Sequence, residues 1–564
     1  MSERILVAVA WPYANGPLHL GHIAGAYLPA DIFARYHRLK GNEVLMVSGS
    51  DQHGTPITIK AEQEKKTPGE IAARYHAQFL ESWQKLGISF DLFTTTSTAN
   101  HARVVQDIFL TLLKKGYIYK SSMSQPYCPS CQRFLPDRYI EGTCPYCKSP
   151  GTRGDQCDNC GKPINPAELA DPRCRLCNTT PQFLDSEHFF LKLSAFQDRI
   201  AAWAGEQNQW RPNVYNLTQR YLKEGLRDRA ITRDIEWGVP VPVKGFENKR
   251  IYVWFEAVIG YLSATKEWAA TKGDEEGWRP FWEAGAKSYY FIGKDNIPFH
   301  TIIWPAMLMG YEGLNLPYDV PANEFLTIEG RKLSTSRNWA VWLPDYLSRY
   351  EPDPLRYLLS INMPETSDTD FSWREFVRRN NDELVATYGN LVNRVLTFVY
   401  KNFDGCVPTY ADMGATNVAP LDGRDNDLIN KTLAVHNHIY ADGGLLSRCH
   451  FKQAIMQTMM IAQETNRYLD EKSPWKKIKE DKQAAATSLY VAINVISTLS
   501  TVLYPFLPFS SQKVHEYLGF KGNIQDSGWK PNPPPAGQKM LEPKPLFSKL
   551  DESIIEEETK RLGT

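Results

Sequence analysis

The chain has 564 residues, 42% of them apolar and 12% aromatic, with 64 Lys+Arg balanced by 64 Asp+Glu. That length exceeds what one hydrophobic core organises and predicts roughly three to four domains. Zero net charge excludes a polybasic coat while leaving room for local basic patches. No window approaches the ~18 uninterrupted apolar residues of a spanning helix, so no membrane partner is expected.

The N-terminal "ILVAVA" reads as a buried parallel strand rather than a signal peptide, and the expected compartment is the cytoplasm. A helix is predicted from about Gly21 to Lys40, then a second strand, "EVLMVSG". Thr67-Pro68-Gly69-Glu70 has capping-box spacing with Pro at the first helical position, so a helix is predicted to Leu86, stopping at Gly87. Strand, helix, strand, helix predicts a Rossmann-like α/β domain with a parallel sheet. Between about 118 and 185 aliphatic residues thin out and Cys, Pro, Gly and Asp dominate. "RIYVWFEAVIGYL" and "SYYFIG" read as strand or strand-to-helix units and "EFLTIEG" as a strand, with "NIPFHTIIWPAMLMG" helix-like. After about 376 the periodicity is helical, through 424–442, 446–471 and 481–504, which predicts an all-α bundle. "KPNPPPAGQKMLEPKP" is proline-rich and expected to be irregular.

Two histidines, His19 and His22, follow the first strand at the start of the first helix. Ligands of a parallel sheet bind beyond the carboxyl ends of its strands, and a helix N-terminus favours phosphate. Two imidazole donors there suit charge developing on a phosphoryl group. Asn15, Gly16 and Gly21 allow close backbone approach, and neither a Walker loop nor GxGxxG is present. A second stretch, "EGRKLSTSRNW", carries Lys332 and Arg337 with Ser334, Thr335 and Ser336, a composition able to close over a polyphosphate.

Eight of the ten cysteines form four CxxC pairs: Cys128/Cys131, Cys144/Cys147, Cys157/Cys160 and Cys174/Cys177. This pattern predicts two four-thiolate Zn²⁺ sites, structural because four thiolates close the coordination sphere. Disulfides are not expected in a reducing compartment. Spacing alone leaves sequential and nested pairings both open.

"HLGH" after the first strand and "KLSTS" after the last resemble the signature pair of the class I aminoacyl-tRNA synthetases. The wider stretches "PYANGPLHLGH", "SDQHGTPI", "YVWFEAVIGY" and "FIGKDNIPFHTIIWPAML" resemble the methionyl-tRNA synthetase family in particular, over about residues 4–520. The resemblance implies two steps, activation of methionine by ATP and transfer to the 3′ end of the methionine tRNA, with Mg²⁺ accompanying ATP. It implies that His19, His22 and Lys332 are catalytic and that Asn15, Gly21, Gly293, Asp295, Ser334, Thr335 and Ser336 bind ATP. Asp51 would take the amino-acid ammonium. Ala10, Trp11, Tyr13, Trp254, Ala257, Val258, Tyr261, Ile297, His300 and Trp304 would line the methionine pocket. Asn390, Arg394 and Trp475 would read the anticodon, and the cysteines would nest, 144/147/157/160 inside 128/131/174/177. Four positions depart from the family pattern: Leu333 replaces a methionine and Thr335 a second lysine of the loop, and Trp11 and Val258 replace a leucine and a proline of the pocket.

The expected organisation is a catalytic first half at 1–117, a connective insertion with the knuckles at 118–240, and a catalytic second half at 241–325. A linking segment at 326–375, an anticodon-binding bundle at 376–520 and a tail at 521–564 follow, with no appended domain and a monomer expected. The rivals are a class I synthetase for another aliphatic amino acid and a non-catalytic zinc-ribbon RNA-binding protein.

Overall fold

The structure, a computed structural model, describes residues 2–154, 157, 159, 160, 162, 164–408 and 421–564. Five strands, β1 (Arg4–Val9), β2 (Glu43–Ser50), β3 (Leu92–Thr95), β4 (Ala286–Gly293) and β5 (Ala322–Asn323), form one sheet in the order β5-β4-β1-β2-β3. Every pairing is parallel, with Ala8 opposite both Val47 and Tyr290. Residues 5–9 are all buried, which explains why "ILVAV" shows no polar alternation. The chain leaves β1 toward β2 and β3 on one side and returns later to β4 and β5 on the other, so the order reverses at β1.

Thr67 and Glu70 close the predicted capping box, and helix Pro68–Leu86 ends on Gly87 at φ 74°. The first helix differs from expectation. A turn at Leu20–His22 runs into a π-helical segment, Ile23–Tyr27, before regular helix at Leu28–Leu39. The wider turn sits directly behind the two histidines, where such segments are frequent in functional sites.

The insertion is carried on a long antiparallel ribbon, Ile118–Cys128 against Gln182–Leu191. At its far end Cys128, Cys144, Cys157 and Cys174 are buried with Leu135, Tyr139, Ile140, Ile164 and Leu169, so sulfur does much of what aliphatic side chains do elsewhere. This unit rests on helix Thr55–Glu64, where the Tyr139 hydroxyl donates to Thr58 Oγ1 (2.8 Å) and Arg133 pairs with Glu62 (2.9 Å).

The bundle comprises Asn390–Asn402, Gly423–Tyr440, Phe451–Lys472, Lys482–Leu503 and Pro508–Tyr517. Residues 409–420 of the predicted interhelical loop lie outside the described residues. Lys482–Leu503 is the one helix among the described residues long and apolar enough to cross a membrane, and 89% of its apolar window is buried inside the protein. Residues 530–545 form no helix or strand, as expected, but a helix that the sequence pattern did not announce, Ser553–Lys560, follows them. Its Glu558, buried, accepts from the Tyr350 hydroxyl (2.8 Å) and pairs with Arg349 (2.9 Å), so 521–564 folds back on the linking segment.

A buried ionic hub joins the parts. Asp31 on helix Leu28–Leu39 pairs with Arg35 (2.9 Å) and with Arg356 on helix Pro352–Ile361 (2.7 Å), both Asp31 and Arg356 side chains being fully buried. Arg356 also donates to the carbonyls of Phe506 (2.7 Å) and Pro505 (2.8 Å), and Arg35 to the Tyr504 hydroxyl (2.8 Å). Burial by itself would raise the Asp31 pKa; Arg35 and Arg356 outweigh it and hold the carboxyl at about 2. A depressed folded pKa contributes stability that is complete above the ordinary carboxylate value and is lost as pH falls through about 2. Asp31→Asn leaves two buried guanidiniums undercompensated and is expected to cost about 3 kcal/mol or more. Calorimetry should show lowered unfolding midpoints for the catalytic and helical parts together; unchanged midpoints would contradict the hub's role.

Candidate active site

Because β4, β1 and β2 pair in parallel, their carboxyl ends lie side by side. The loop leaving β1 is tied to the end of β2: the Ala14 N–H donates to the Asp51 carbonyl (2.8 Å) and the Asp51 N–H to the Pro12 carbonyl (2.8 Å). His19 and His22 therefore stand at the same edge as Asp51 and as Gly293 of β4. The two imidazoles stack with centroids 3.8 Å apart at 23°. The His19 backbone N–H donates to His22 Nδ1 (3.2 Å), which leaves the proton of neutral His22 on Nε2. Burial pushes His22 down to about 4 and His19 well below its ordinary value, the latter assisted by the neighbouring His22. Both rings are neutral near pH 7 and act as oriented N–H donors.

The "KLSTS" loop reaches this pair. Leu333 packs on Gly21 so closely that a Cβ at Gly21 would lie 2.7 Å from Leu333 Cδ1 and 3.0 Å from the His19 ring. The chain after the loop is pinned to the same turn: the Leu20 N–H donates to the Val341 carbonyl (3.2 Å) and the Leu343 N–H to the Leu18 carbonyl (2.8 Å). Lys332, Thr335 and Arg337 are exposed and Ser334 is half-buried, while the Ser336 side chain lies outside the described residues. Asn15 is half-buried on the loop between β1 and His19. A Cβ at Gly293 would meet Asp295 Oδ1 at 2.9 Å, so glycine lets that carboxylate fold back over the strand end.

Of the candidate methionine residues, Val258, Tyr261, Ile297 and Trp304 belong to one apolar cluster against which Ala10 and Trp11 pack, whereas Tyr13 packs with the neighbouring core. The Tyr261 hydroxyl lies 2.7 Å from His300 Nε2, whose Nδ1 lies 2.9 Å from the Asn296 carbonyl. His300 Nδ1–H therefore donates to the carbonyl and Nε2 accepts from tyrosine. Burial pushes His300 down to about 4, so this ring too is neutral. Trp304 is fully buried behind, its indole N–H donating to the Tyr290 hydroxyl (3.0 Å), and Ile297 and Val258 are buried beside it. Trp254 meets Phe299 edge-on at 5.0 Å, and Trp254, Ala257, Ala10 and Tyr13 are half-buried. Trp11 is accommodated by two glycines: a Cβ at Gly49 would lie 2.3 Å from its ring and one at Gly260 2.7 Å. The sequence reading missed Tyr290, which an apolar strand conceals, and the pair of glycines, whose meaning depends on a ring remote in sequence.

At Asp51 the neighbours were also missed. His53 Nδ1 lies 2.8 Å from Glu256 Oε1, and the His53 backbone N–H donates to Asp51 Oδ1 (3.2 Å). The available signal was Glu256 within the apolar run that opens helix Val253–Thr271.

Far from this edge, Asn390 is exposed at the start of helix Asn390–Asn402, and Arg394 one turn on stacks over the Trp475 ring at 4.4 Å. Arg394 is also held by Asp470 (3.2 Å) and Asn466 (3.1 Å). The cysteines nest: Cys128, Cys131, Cys174 and Cys177 form one group and Cys144, Cys147, Cys157 and Cys160 another, each with its sulfurs within 4.8 Å of one another. A tetrahedral thiolate site with metal–sulfur bonds near 2.3 Å implies sulfurs about 3.8 Å apart. The closer pairs here, 3.3–3.9 Å, match that spacing and are far longer than a disulfide bond. Cys131 and Cys147 N–H groups point at Cys128 and Cys144 Sγ (3.4 and 3.5 Å), turning each CxxC toward one centre.

A parallel sheet that reverses order at its first strand, stacked histidines at that strand's carboxyl end and a lysine-bearing loop packed on them define a class I aminoacyl-tRNA synthetase core. A family model described as tRNA synthetases class I (M) matches residues 5–396, and one described as the anticodon binding domain of methionyl tRNA ligase matches 421–564. The chain is 63% identical over 563 residues to a methionine–tRNA ligase of Dehalococcoides mccartyi, covering 100% of both chains. It is 54% identical over 590 residues to one of Thermomicrobium roseum, covering 100% of this chain and 99% of that one. A solved Mycobacterium tuberculosis methionyl-tRNA synthetase in complex with methionyl-adenylate superposes with a TM-score of 0.80 at 25% identity, covering 97% of this chain and 100% of that one. The chain belongs to the methionyl-tRNA synthetase family.

Proposed function

We propose that this protein activates methionine with ATP and transfers it to the 3′ end of its tRNA. The observation that carries the reading is the common edge where His19, His22, Asp51 and Gly293 meet beneath the "KLSTS" loop. The adenylate complex of the M. tuberculosis relative supports the same chemistry for this cleft.

The amino-acid carboxylate attacks the α-phosphorus of ATP and pyrophosphate leaves; the ribose hydroxyl of the tRNA then takes the aminoacyl group and AMP leaves. No group of the protein becomes covalently attached, so catalysis is positioning and charge stabilisation. His19 and His22 donate N–H to oxygens of the α-phosphate as charge develops there. Lys332 on the loop stabilises the departing pyrophosphate, with Mg²⁺ entering as part of the ATP substrate. Ser334, Thr335 and Ser336 offer hydroxyls, and Arg337 supplies the second cation that Thr335 lacks. Asn15 and Gly21 let the triphosphate approach the turn, and Gly293 and Asp295 take the ribose.

Asp51 takes the methionine ammonium. Ala10, Trp11, Tyr13, Trp254, Ala257, Val258, Tyr261, Ile297, His300 and Trp304 surround the thioether, which demands apolar walls because it is only a weak acceptor. Asn390, Arg394 and Trp475 read the anticodon, Trp475 by stacking an unpaired base. The two cysteine groups hold Zn²⁺, which supplements the small core of the insertion. The cysteine groups, whose sulfurs are spaced for thiolate sites rather than disulfides, support action in the cytoplasm.

Methionine-dependent ATP–pyrophosphate exchange tests the reading directly, since neither an RNA-binding scaffold nor a synthetase for another amino acid would show it. Lys332→Ala should lower the exchange rate about 100-fold or more. The methionine KM of that variant should stay within about twofold; undiminished exchange would remove Lys332 from the mechanism. Trp475→Ala should weaken kcat/KM for tRNA about tenfold while exchange is retained, equal loss of both pointing instead to misfolding. Metal analysis should give close to two zinc atoms per chain, and a value near one would leave one cysteine group without its assigned role.

A further inference from the structure

Glu256 is fully buried at the first turn of helix Val253–Thr271, next to Ala257 and Val258 of the methionine pocket. One oxygen is engaged by His53 Nδ1 at 2.8 Å; the other, Oε2, is buried and receives no hydrogen bond. A carboxylate in that condition is costly unless a cation comes to it. His53, 8% exposed, lies between Glu256 and Asp51, and its own backbone N–H is bonded to Asp51 Oδ1. The pocket thus contains two buried carboxylates and one imidazole, an arrangement short of one positive charge.

We infer that Glu256 is a positioning residue of the ammonium site, a second buried carboxylate joined to Asp51 through His53, so that the incoming α-ammonium replaces the proton held by Asp51. The inference rests on the reading of Asp51 as the ammonium's partner. In the exchange, the Asp51 carboxyl gives its proton to solvent, the substrate ammonium keeps its own, and a buried carboxylate–ammonium pair replaces the neutral acid. No bond to the substrate is made or broken.

The charged groups around the site support that proton's presence. Burial, and then the charge of Glu256, push Asp51 up to about 8, against the opposing pull of His53. Burial disfavours charge on His53, but Glu256 and Asp51 raise it above its ordinary value. From the packed helix Ala99–Lys114, His101 faces His53; burial and then the His53 charge push it down to about 3, so it adds no charge. Ser97 (3.4 Å from His53 Nε2) and Trp237 (ring centroid 5.6 Å from the His53 ring) complete the surroundings without charge.

The test is methionine binding to the full-length protein by calorimetry, in buffers of different ionisation enthalpy, together with the methionine KM in exchange from pH 6.5 to 7.5. Wild type should release close to one proton per methionine at pH 7, and its KM should fall about eightfold over that pH unit. Glu256→Gln keeps a hydrogen bond to His53 while removing the second carboxylate charge. It should release fewer protons than wild type and show a KM change over the same pH range clearly smaller than about eightfold, with the ATP KM near wild type. Glu256→Asp should restore the pH slope, which a merely structural role would not require. A wild type that binds methionine without releasing a proton, or a Glu256→Gln variant with the wild-type slope, overturns the inference and leaves the proposed function standing. A wild type that binds no methionine at any pH overturns the function itself.

Discussion

The buried contact between Asp31 and Arg356 is the constraint on which the rest of the molecule depends. A fully buried guanidinium must satisfy its donors within the protein, and Arg356 does so by reaching into two regions at once: the carboxylate of the helix that follows His19 and His22 and the carbonyls of Pro505 and Phe506 just beyond the helix Lys482–Leu503. Neither partner can move without uncovering charge. The same apolar core runs from Ile5 and Val9 of the sheet through Leu355 and Leu359 of the linking helix to Leu489 and Leu503 of the bundle. The hub thus fixes the orientation of parts that apolar contact, which is non-directional, would leave free to slide. Ionic groups of this kind stabilise little relative to apolar replacements, so specificity of arrangement is their physical contribution here.

The catalytic edge follows from topology. Reversal of strand order at β1 opens a crevice where the loops after β4, β1 and β2 converge. Into it project side chains whose ordinary charges have been altered by burial: three imidazoles held neutral and one aspartic acid pushed toward neutrality. Neutral donors fixed before the substrate arrives need no reorganisation as charge develops, which is the condition for effective electrostatic stabilisation. The cations Lys332 and Arg337 are held apart on the exposed loop.

The distal modules are organised differently. The knuckle unit has a small core in which four buried cysteines stand among Leu135, Ile140, Ile164 and Leu169, and its cysteines form two four-sulfur clusters. In the bundle, Arg394 stacks over Trp475 and is tethered to Asp470 and Asn466. A base stacking there would meet a prepared aromatic and cationic surface rather than one that must first be ordered.

Local sequence was sufficient for features set by neighbours along the chain: the buried strands, the Thr67–Glu70 capping box with its Gly87 stop, the bundle helices and the four CxxC turns. It also marked the two signature stretches, the histidines after the first strand and the serine-rich loop bearing Lys332, through their joint resemblance to a known family pair. Pairing of the cysteines into nested groups, the glycine seats of Trp11, Tyr290 behind His300, the returning helix at Ser553–Lys560 and the Glu256–His53–Asp51 cluster were decided only by the tertiary structure. Each of these joins residues tens to hundreds of positions apart, and their burial and charge state exist only after the intervening chain has folded. Periodicity and spacing encode what a residue's immediate neighbours require; the electrostatic environment of a buried group is a property of everything packed around it.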